Sequence, residues 1–288
     1  MLKGRIIKAL SGFYYVESEG SIYAARARGL FRKTKESPLV GDIVTFQVEN
    51  DMEGYITAID PRKNSLVRPP VANIDQLLIT MSMKSPEFNY YLLDRFLAYA
   101  EAHDMEPVVI ITKMDLADDD FDAEALKSVY SDIYPVHFTD RGSIARDLEM
   151  IFRDRISVLA GQSGVGKSTL LNTFLPALDL ETAEISNALN RGKHTTRHVE
   201  LMDIAGGKIA DTPGFSTIEF TSLDKYNLKF CFPDFNVHSE KCKFRECQHI
   251  KEPKCGVKEA VANEVLAKTR YDSYVTIYHE IENRKVRY

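Results

Sequence analysis

Residues 161–168 read Gly-Gln-Ser-Gly-Val-Gly-Lys-Ser and match the phosphate-binding pattern G-x-x-x-x-G-K-[ST]. An apolar run precedes them and a helical pattern follows, which is the context that this pattern requires. Glycines let backbone N–H groups point at phosphate oxygens, and the helix N-terminus adds a positive dipole. Lys167 would contact the β- and γ-phosphates, and the Ser168 hydroxyl would bind Mg²⁺. The predicted nucleotide-binding residues here are Gly161, Gln162, Ser163, Gly164, Val165, Gly166, Lys167, Ser168 and Thr169.

A second motif, Asp-Thr-Pro-Gly, occupies residues 211–214 and begins 50 residues after Gly161. Alone, this tetrapeptide is a common turn. At the end of a strand behind a phosphate loop, however, the Asp211 carboxylate would hold Mg²⁺ through water. The Gly214 N–H would meet the γ-phosphate and act as a switch.

Residues 112–115 read Thr-Lys-Met-Asp and follow a strand-like apolar run. They resemble the N-K-x-D motif with which GTPases recognise guanine. In that motif the Asp carboxylate accepts two hydrogen bonds from guanine that adenine cannot offer. Thr112 replaces the Asn, which alters one polar contact. We predict that Thr112, Lys113, Met114 and Asp115 bind the base, and the alternative, an ATP-dependent P-loop enzyme, is opposed by Asp115.

Three cysteines and one histidine cluster near the C-terminus of a chain that has only four cysteines. Three thiolates and one imidazole supply the four tetrahedral ligands of a closed, structural Zn²⁺ site. The predicted zinc ligands, for one ion per chain, are Cys242, Cys247, His249 and Cys255. The alternative is a set of buried cysteines with a surface histidine. The remaining Cys231, beside Phe232 and Pro233, is predicted to be a small core residue.

The N-terminal residues must form short strands, because five segments rich in Ile, Val, Tyr and Phe alternate with turn-like separators. These segments are Lys3–Leu10, Phe13–Ser18, Ser21–Arg28, Asp42–Val48 and Gly54–Ile59. They predict an OB-like β-barrel over residues 1–65, and an SH3-like barrel fits nearly as well. Basic residues fall on or beside one connection, namely Arg26, Arg28, Arg32, Lys33 and Lys35. They predict a phosphate-contacting loop, with a solvated loop as the alternative.

Beyond a polar, proline-marked boundary at residues 60–70, predicted strands alternate with predicted helices. The strands are Gln76–Met83, Pro107–Thr112, Ile156–Ala160 and a pair within Val199–Asp211 folded at Gly206-Gly207; the helices are Leu92–His103, Ala123–Tyr130 and Lys167–Leu175. This alternation predicts a doubly wound parallel α/β sheet over residues 71–221. Residues 222–288 are predicted to form a zinc-binding α-helical domain with a helix over Lys258–Lys268.

The composition is that of a globular chain, with 288 residues, 44% hydrophobic and 27% charged. The sequence shows no apolar run of the ~20 residues that a membrane span needs, no signal peptide and too few cysteines for a disulfide scaffold. We therefore expect a cytoplasmic protein with no membrane contact. The net charge is −5, yet residues 1–70 and 222–288 each carry +3, and residues 71–221 carry −11. Basic ends thus flank an acidic middle.

The order of the motifs is the most specific feature of the sequence. The base motif precedes the phosphate loop, which precedes Asp-Thr-Pro-Gly, and this is a circular permutation of the usual GTPase order. Flanked by a barrel and a Cys/His unit, these motifs resemble the bacterial small-ribosomal-subunit biogenesis GTPases of the RsgA (YjeQ/YloQ) family. The resemblance covers the whole chain and rests on TKMD at 112–115, GQSGVGKST at 161–169, GKHTTRH at 192–198, DTPGF at 211–215 and the Cys/His set at 242–255.

This resemblance implies a multidomain, cytoplasmic GTPase that acts late in small-subunit maturation. Its partners would be GTP or GDP with Mg²⁺, and the small ribosomal subunit with its rRNA near the decoding region. The barrel and the zinc domain would both contact the particle, and we expect the protein to be a monomer. The competing function is a GTP-gated RNA-binding checkpoint with little catalytic turnover.

Phe215 directly follows Gly214, where many GTPases have a water-orienting Gln. An apolar side chain cannot hold a water molecule, so intrinsic hydrolysis should be slow and the bound subunit should stimulate it. Thr195 or Thr196 would complete the Mg²⁺ shell. His194 is the nearest polar candidate for positioning the water, with a surface histidine on a loop as the alternative. The predicted catalytic residues are Lys167 and His194.

Overall fold

The computed structural model describes residues 1–28, 31, 37–50, 52–67, 69–118, 121–140, 147–175, 199–211, 220 and 223–284. Its N-terminal strands are β1 (Leu2–Leu10), β2 (Phe13–Ser18), β3 (Ser21–Ala27), β4 (Ile43–Asn50) and β5 (Glu53–Ile59). They pair in the order β1-β2-β3-β5-β4, and β4 closes on β1. β3 and β5 run parallel, while the other pairs are antiparallel. This closed five-stranded barrel confirms the OB-like prediction over the SH3-like alternative.

The boundary segment after the barrel is tied to it by a buried charge. Asp42 is fully buried and accepts hydrogen bonds from the Arg62 guanidinium at 2.7 and 2.8 Å. The Leu39 N–H donates a third bond to the same carboxylate at 2.7 Å. Because a buried carboxylate needs such compensation, Arg62 fixes the chain where it leaves the barrel.

The central sheet follows a small hairpin of β6 (Ser65–Val67) and β7 (Pro70–Ala72). Its strands are β8 (Gln76–Ser82), β9 (Glu106–Thr112), β10 (Val136–Phe138), β11 (Ile156–Ala160), β12 (Val199–Ile204) and β13 (Gly207–Asp211). The order is β10-β9-β8-β11-β13-β12, and all but the antiparallel β12 run parallel. Every residue of β8 and β11 is buried, as expected for strands covered on both faces. The predicted parallel sheet is confirmed.

Four helices accompany this sheet in the described residues: α1 (Tyr90–Ala102), α2 (Ala123–Tyr130), α3 (Asp147–Phe152) and α4 (Lys167–Phe174). Side-chain caps start two of them. The Asn89 side chain accepts from the Leu92 N–H, and the Asp122 side chain accepts from the Ala125 N–H. Across the part of the chain that the structure describes, every helix is too short or too polar to cross a membrane.

The barrel and the central sheet are one continuous sheet of eleven strands. β1 belongs to both units and has a register shift between Ile6 and Lys8. Its first part, Leu2–Arg5, pairs with β4 inside the barrel, while Lys8 and Ala9 pair with Glu200 and Val199 of β12. The Lys8 ammonium also lies 2.7 Å from the Glu200 carboxylate. The two units were predicted to be separate, and no local pattern in residues 1–10 indicates this connection.

The C-terminal residues contain two 3₁₀ turns (Leu228–Cys231 and Pro233–Phe235) and three helices, α5 (Asn236–Ser239), α6 (Gly256–Ala262) and α7 (Lys268–Glu282). The single helix predicted over Lys258–Lys268 is therefore wrong. Glu264 has a left-handed φ of 57°, and the N–H groups of Val265 and Leu266 both donate to the Ala260 carbonyl. These bonds reverse the chain after α6, so a separate helix begins at Lys268.

A buried charge cluster anchors α7 to α1. Arg270 is 1% exposed and donates to Asp94 of α1 at 2.7 Å and to Asp234 at 2.7 and 3.1 Å. The Tyr130 hydroxyl donates to Asp94 as well, at 3.0 Å. The C-terminal unit is thus held against the central domain by compensated charges from three segments of the chain.

We expect Arg270→Met to lower the free energy of unfolding by about 3–5 kcal/mol, because the buried Asp94 carboxylate loses its counter-charge. Lys268→Met is the control, since its pair with Asp272 is exposed and contributes at most about 1 kcal/mol. Urea unfolding followed by circular dichroism measures both variants. Equal losses of stability would contradict an anchoring role for Arg270.

Candidate nucleotide site and metal centre

The predicted phosphate loop connects the end of β11 to the start of α4. Gly161, Gly164 and Gly166 have φ values of 143°, 82° and 99°, a region that L side chains rarely adopt. A Cβ atom on Gly161 would lie only 2.2 Å from the Thr80 carbonyl oxygen. Glycine is therefore required at the first position both by conformation and by close backbone contact.

Lys167 curls back over this loop. Its Nζ donates to the carbonyl oxygens of Gly161 and Gln162, both at 2.7 Å. Burial lowers the pKa of the Lys167 ammonium to about 8. A bound phosphate would favour the protonated amine and so raise the pKa of Lys167 again. Ser168 follows on the first turn of α4 and is buried.

Thr112, the residue at the Asn position of the base motif, contacts the phosphate loop. Its Oγ1 lies 2.5 Å from the Val165 carbonyl oxygen and 3.1 Å from that of Met81. Both neighbours are acceptors, so the single hydroxyl proton is used within the protein. Thr112 therefore joins the base motif to the phosphate loop through a backbone carbonyl.

The remaining base-motif residues turn away from the end of β9. Lys113 has a left-handed φ of 58°, and its Nζ donates to the backbone carbonyls of Lys84 and Ser85. Met114 and Asp115 lie in a short 3₁₀ turn, and Asp115 is exposed. The carboxylate is thus accessible to a base, as the motif requires.

A cavity of about 80 Å³ separates the base motif from the phosphate loop. Its lining residues are Thr112, Lys113, Thr139, Asp140, Gly166, Thr169 and Leu170. Thr139 and Asp140 were missed by the sequence analysis. They follow β10, which has only three residues and gives too short an apolar run to signal a strand. The Thr139 carbonyl accepts from the Met114 N–H at 3.2 Å, so this segment supports the base motif.

The parallel register explains why distant motifs meet. Ser82 pairs with Thr112, Ile111 with Phe138, Ile79 with Ala160 and Val158 with Ala210. The carboxyl ends of β8, β9, β10, β11 and β13 therefore share one edge of the sheet, where ligands bind in open α/β folds. Asp211 ends β13 at this edge.

Several predicted site residues lie outside the described part of the chain. These are His194, Thr195 and Thr196 in one segment, and Gly214 with Phe215 in another. Their predicted roles remain predictions.

The structure brings the four predicted metal ligands together, with their donor atoms all within 4.8 Å of one another. Cys242 Sγ lies 3.8 Å from Cys255 Sγ and 3.6 Å from His249 Nδ1, which is 3.3 Å from Cys255 Sγ. Zn–S bonds near 2.3 Å and Zn–N bonds near 2.0 Å would give tetrahedral edges of about 3.5–3.8 Å. The donor set and its geometry fit a closed zinc site.

The surroundings hold these ligands in place. The Gly256 N–H donates to Cys242 Sγ at 3.3 Å, and the α7 hydroxyls of Tyr271 and Tyr274 donate to the carbonyls of His249 and Gln248. Burial raises the pKa of the Cys247 thiol to about 12. Buried thiolates at this position require a neighbouring cation, which a bound metal ion would provide. Cys231 lies in the hydrophobic core, outside the cluster, as predicted.

We expect about one zinc ion per wild-type chain, and we expect Cys247→Ala to release it and unfold residues 240–256 while GDP binding persists. Cys231→Ala is the control, because it removes a buried thiol that is not a ligand. Elemental analysis after gentle purification and titration with a fluorescent GDP analogue measure the two effects. A substoichiometric wild-type zinc content would contradict a closed four-ligand site.

Comparison with known proteins agrees with this architecture. The family model for the RsgA GTPase domain matches residues 59–221, and the model for the RsgA N-terminal domain matches residues 3–56. The small ribosomal subunit biogenesis GTPases RsgA of Bacillus subtilis and Staphylococcus haemolyticus are each 51% identical to this chain, and each match covers all of both chains.

Two solved structures have the same fold along the whole chain. The circularly permuted GTPase YloQ superposes with a TM-score of 0.85 at 46% identity, covering 100% of this chain and 97% of its own. YjeQ from Thermotoga maritima gives a TM-score of 0.85 at 35% identity, covering 99% of each chain. The motifs, their permuted order and their meeting at one sheet edge show that this chain belongs to the RsgA family of circularly permuted GTPases.

Proposed function

We propose that this GTPase acts in maturation of the small ribosomal subunit and that the subunit stimulates its turnover. The observation that carries the proposal is the single sheet edge at which the base motif, the phosphate loop and Asp211 meet, in a chain of the RsgA family. The curated relatives are named small ribosomal subunit biogenesis GTPases. Such a switch would act in the cytoplasm, as a monomer.

Each motif has one role in the proposed site. Asp115 accepts hydrogen bonds from guanine, and Lys113 packs its stem along the purine. Lys167 and the loop N–H groups hold the phosphates. Bound Mg²⁺ would neutralise charge on the β- and γ-phosphates. The residues that would hold it are Ser168, Asp211 and either Thr195 or Thr196.

Hydrolysis needs an oriented water molecule, and the chain offers His194 for this task. Phe215 stands where a Gln would orient the water, so we infer that the free protein turns over slowly. Binding to the subunit would bring His194 or a ribosomal group to the water. The alternative function, a GTP-gated RNA-binding checkpoint with little turnover, rests on the same apolar Phe215.

The two flanking units would contact rRNA. Arg26 and Arg28 are exposed at the end of β3, on the connection where the basic loop begins. One structural zinc ion per chain would stabilise the fold of the C-terminal unit, which makes the second proposed contact with rRNA. Phosphate contacts of this kind make binding salt-sensitive, because they release counterions.

Guanine selectivity should depend on Asp115. Asp115→Asn removes the acceptor for guanine N1–H and should weaken GTP binding roughly ten- to hundredfold, with a shift toward xanthine nucleotides. Glu124→Gln, which alters another exposed carboxylate, on α2, is the control. Competition titrations with GTP, XTP and ATP measure the change. Unaltered GTP affinity in Asp115→Asn would remove the assignment, and an ATP preference in the wild type would favour the P-loop ATPase alternative.

Single-turnover hydrolysis of prebound GTP, with and without purified small subunits, tests the proposed function itself. We expect strong stimulation by subunits in the wild type. His194→Ala should leave basal hydrolysis and GTP-analogue affinity unchanged but lower the stimulated rate by ~10²-fold, as for a lost positioned catalytic group. His279→Ala, a partly exposed histidine on α7 that is far along the chain from the nucleotide motifs, is the control.

Two outcomes would overturn parts of this proposal. Subunits that bind without stimulating wild-type hydrolysis would favour the checkpoint function. A stimulated rate in His194→Ala equal to that of the wild type would assign water orientation to the ribosome or to another residue of the switch segments.

A further inference from the structure

Two exposed phenylalanine rings of the C-terminal unit each lie close to a lysine ammonium. Phe230 and Phe244 are 62% and 43% exposed. The Lys229 ammonium lies 5.2 Å from the centroid of the Phe230 ring, and the Lys243 ammonium lies 5.5 Å from that of Phe244. Large exposed rings are unfavourable in water. Two such rings, each paired with a lysine, therefore indicate a surface that binds a ligand carrying aromatic rings as well as negative charge.

These two pairs meet at the metal centre. Lys229 Nζ lies 3.4 Å from the Cys247 carbonyl oxygen, and the Cys247 N–H donates to the Phe244 carbonyl at 3.2 Å. Because Cys247 is a predicted metal ligand, a bound ion would fix the backbone turn that carries Phe244, and the Lys229 side chain ties the turn that carries Phe230 to the same residue. We define the knuckle patch as Lys229, Phe230, Lys243, Phe244 and Arg245.

The charge around the knuckle patch is positive. Residues 241–258 contain six basic residues and two acidic ones. One of the acids, Glu252, faces the turn and accepts from the backbone N–H groups of Gln248, Ile250 and Lys251 at 2.8–3.0 Å. Five of the cations take part in no ion pair with another described residue, namely Lys241, Lys243, Arg245, Lys251 and Lys254. An anionic partner would supply the missing counter-charge.

We propose that the knuckle patch binds unpaired nucleotides of RNA, with Phe230 and Phe244 stacking on bases while Lys243 and Arg245 contact phosphates. Base stacking on aromatic side chains is tolerant of sequence, and bases already stacked within a duplex cannot use it. A protein partner would bury the rings equally well, but the excess of outward cations favours a polyanion. This inference deepens the proposed function by naming the form of RNA that the C-terminal unit recognises.

Fluorescence anisotropy with the zinc-loaded, full-length protein tests the patch. The probes are a labelled single-stranded RNA of about ten nucleotides and a blunt-ended duplex of the same strand with its complement. Phe230→Leu with Phe244→Leu keeps apolar bulk and removes the π-faces. Lys243→Gln with Arg245→Gln removes charge and keeps the rings. Val265→Ala, an apolar side chain that is 69% exposed, is the control.

The two double variants should fail in different ways. The leucine variant should lose roughly 10- to 100-fold in single-strand affinity with an unchanged salt dependence, because stacking contributes no counterion release. The glutamine variant should lose affinity together with about 1.4 units of salt slope, since each phosphate contact on a single strand contributes ~0.7. Both should retain zinc, and Val265→Ala should bind as the wild type does.

Two results would overturn the proposal: wild-type single-strand affinity in the leucine variant, or equal affinity of the wild type for the duplex. If the leucine variant keeps its single-strand affinity but binds subunits more weakly, the rings make a protein contact. The proposed function fails separately, if wild-type hydrolysis does not respond to small subunits.

Discussion

The pairing of β12 with β1 joins the barrel to the sheet that carries the nucleotide site. β12 pairs with β13 on its other side, and β13 ends at Asp211. Only one strand therefore separates β1 from the strand that ends at Asp211. The Lys208 ammonium adds a second link, since it lies 3.0 Å from the Glu17 carboxylate of the barrel. The barrel cannot shift against β12 without breaking these contacts, so its position and that of Asp211 are mechanically related.

Circular permutation is compatible with the same site because the site is defined by strand ends and not by chain order. Thr112 leaves β9, Gly161 leaves β11, and Asp211 ends β13, all at one edge. Thr112 then fixes the distance between two of these motifs through its hydroxyl contact with Val165. β12 is the last strand of the central sheet, and its pairing with β1 covers an edge that would otherwise be exposed.

Local signals in the sequence were sufficient for most elements of this fold. The bounds of β11, α2, β12 and β13 agree with those predicted, because apolar runs, the Asp122 cap and the Gly206-Gly207 turn are encoded within a few residues. Contacts between residues far apart in the sequence could not be predicted from such local patterns. Nothing in residues 1–10 indicates pairing with β12, and nothing around Thr112 indicates Val165. α7 was missed although Tyr274, Ile277, Tyr278 and Ile281 recur at helical spacing, since aromatic and β-branched residues obscure it.

Rigid attachment of both ends explains how modest charge could suffice for the proposed RNA contacts. The barrel is fixed through β12, and the C-terminal unit through Arg270 on Asp94. Each end carries a net charge of only +3, so the electrostatic contribution of either end alone is modest. When two modules are held in one geometry, the second contact forms without a further loss of orientational freedom, and the affinities reinforce each other. The contacts that fix the modules therefore contribute to recognition of a large partner without touching it.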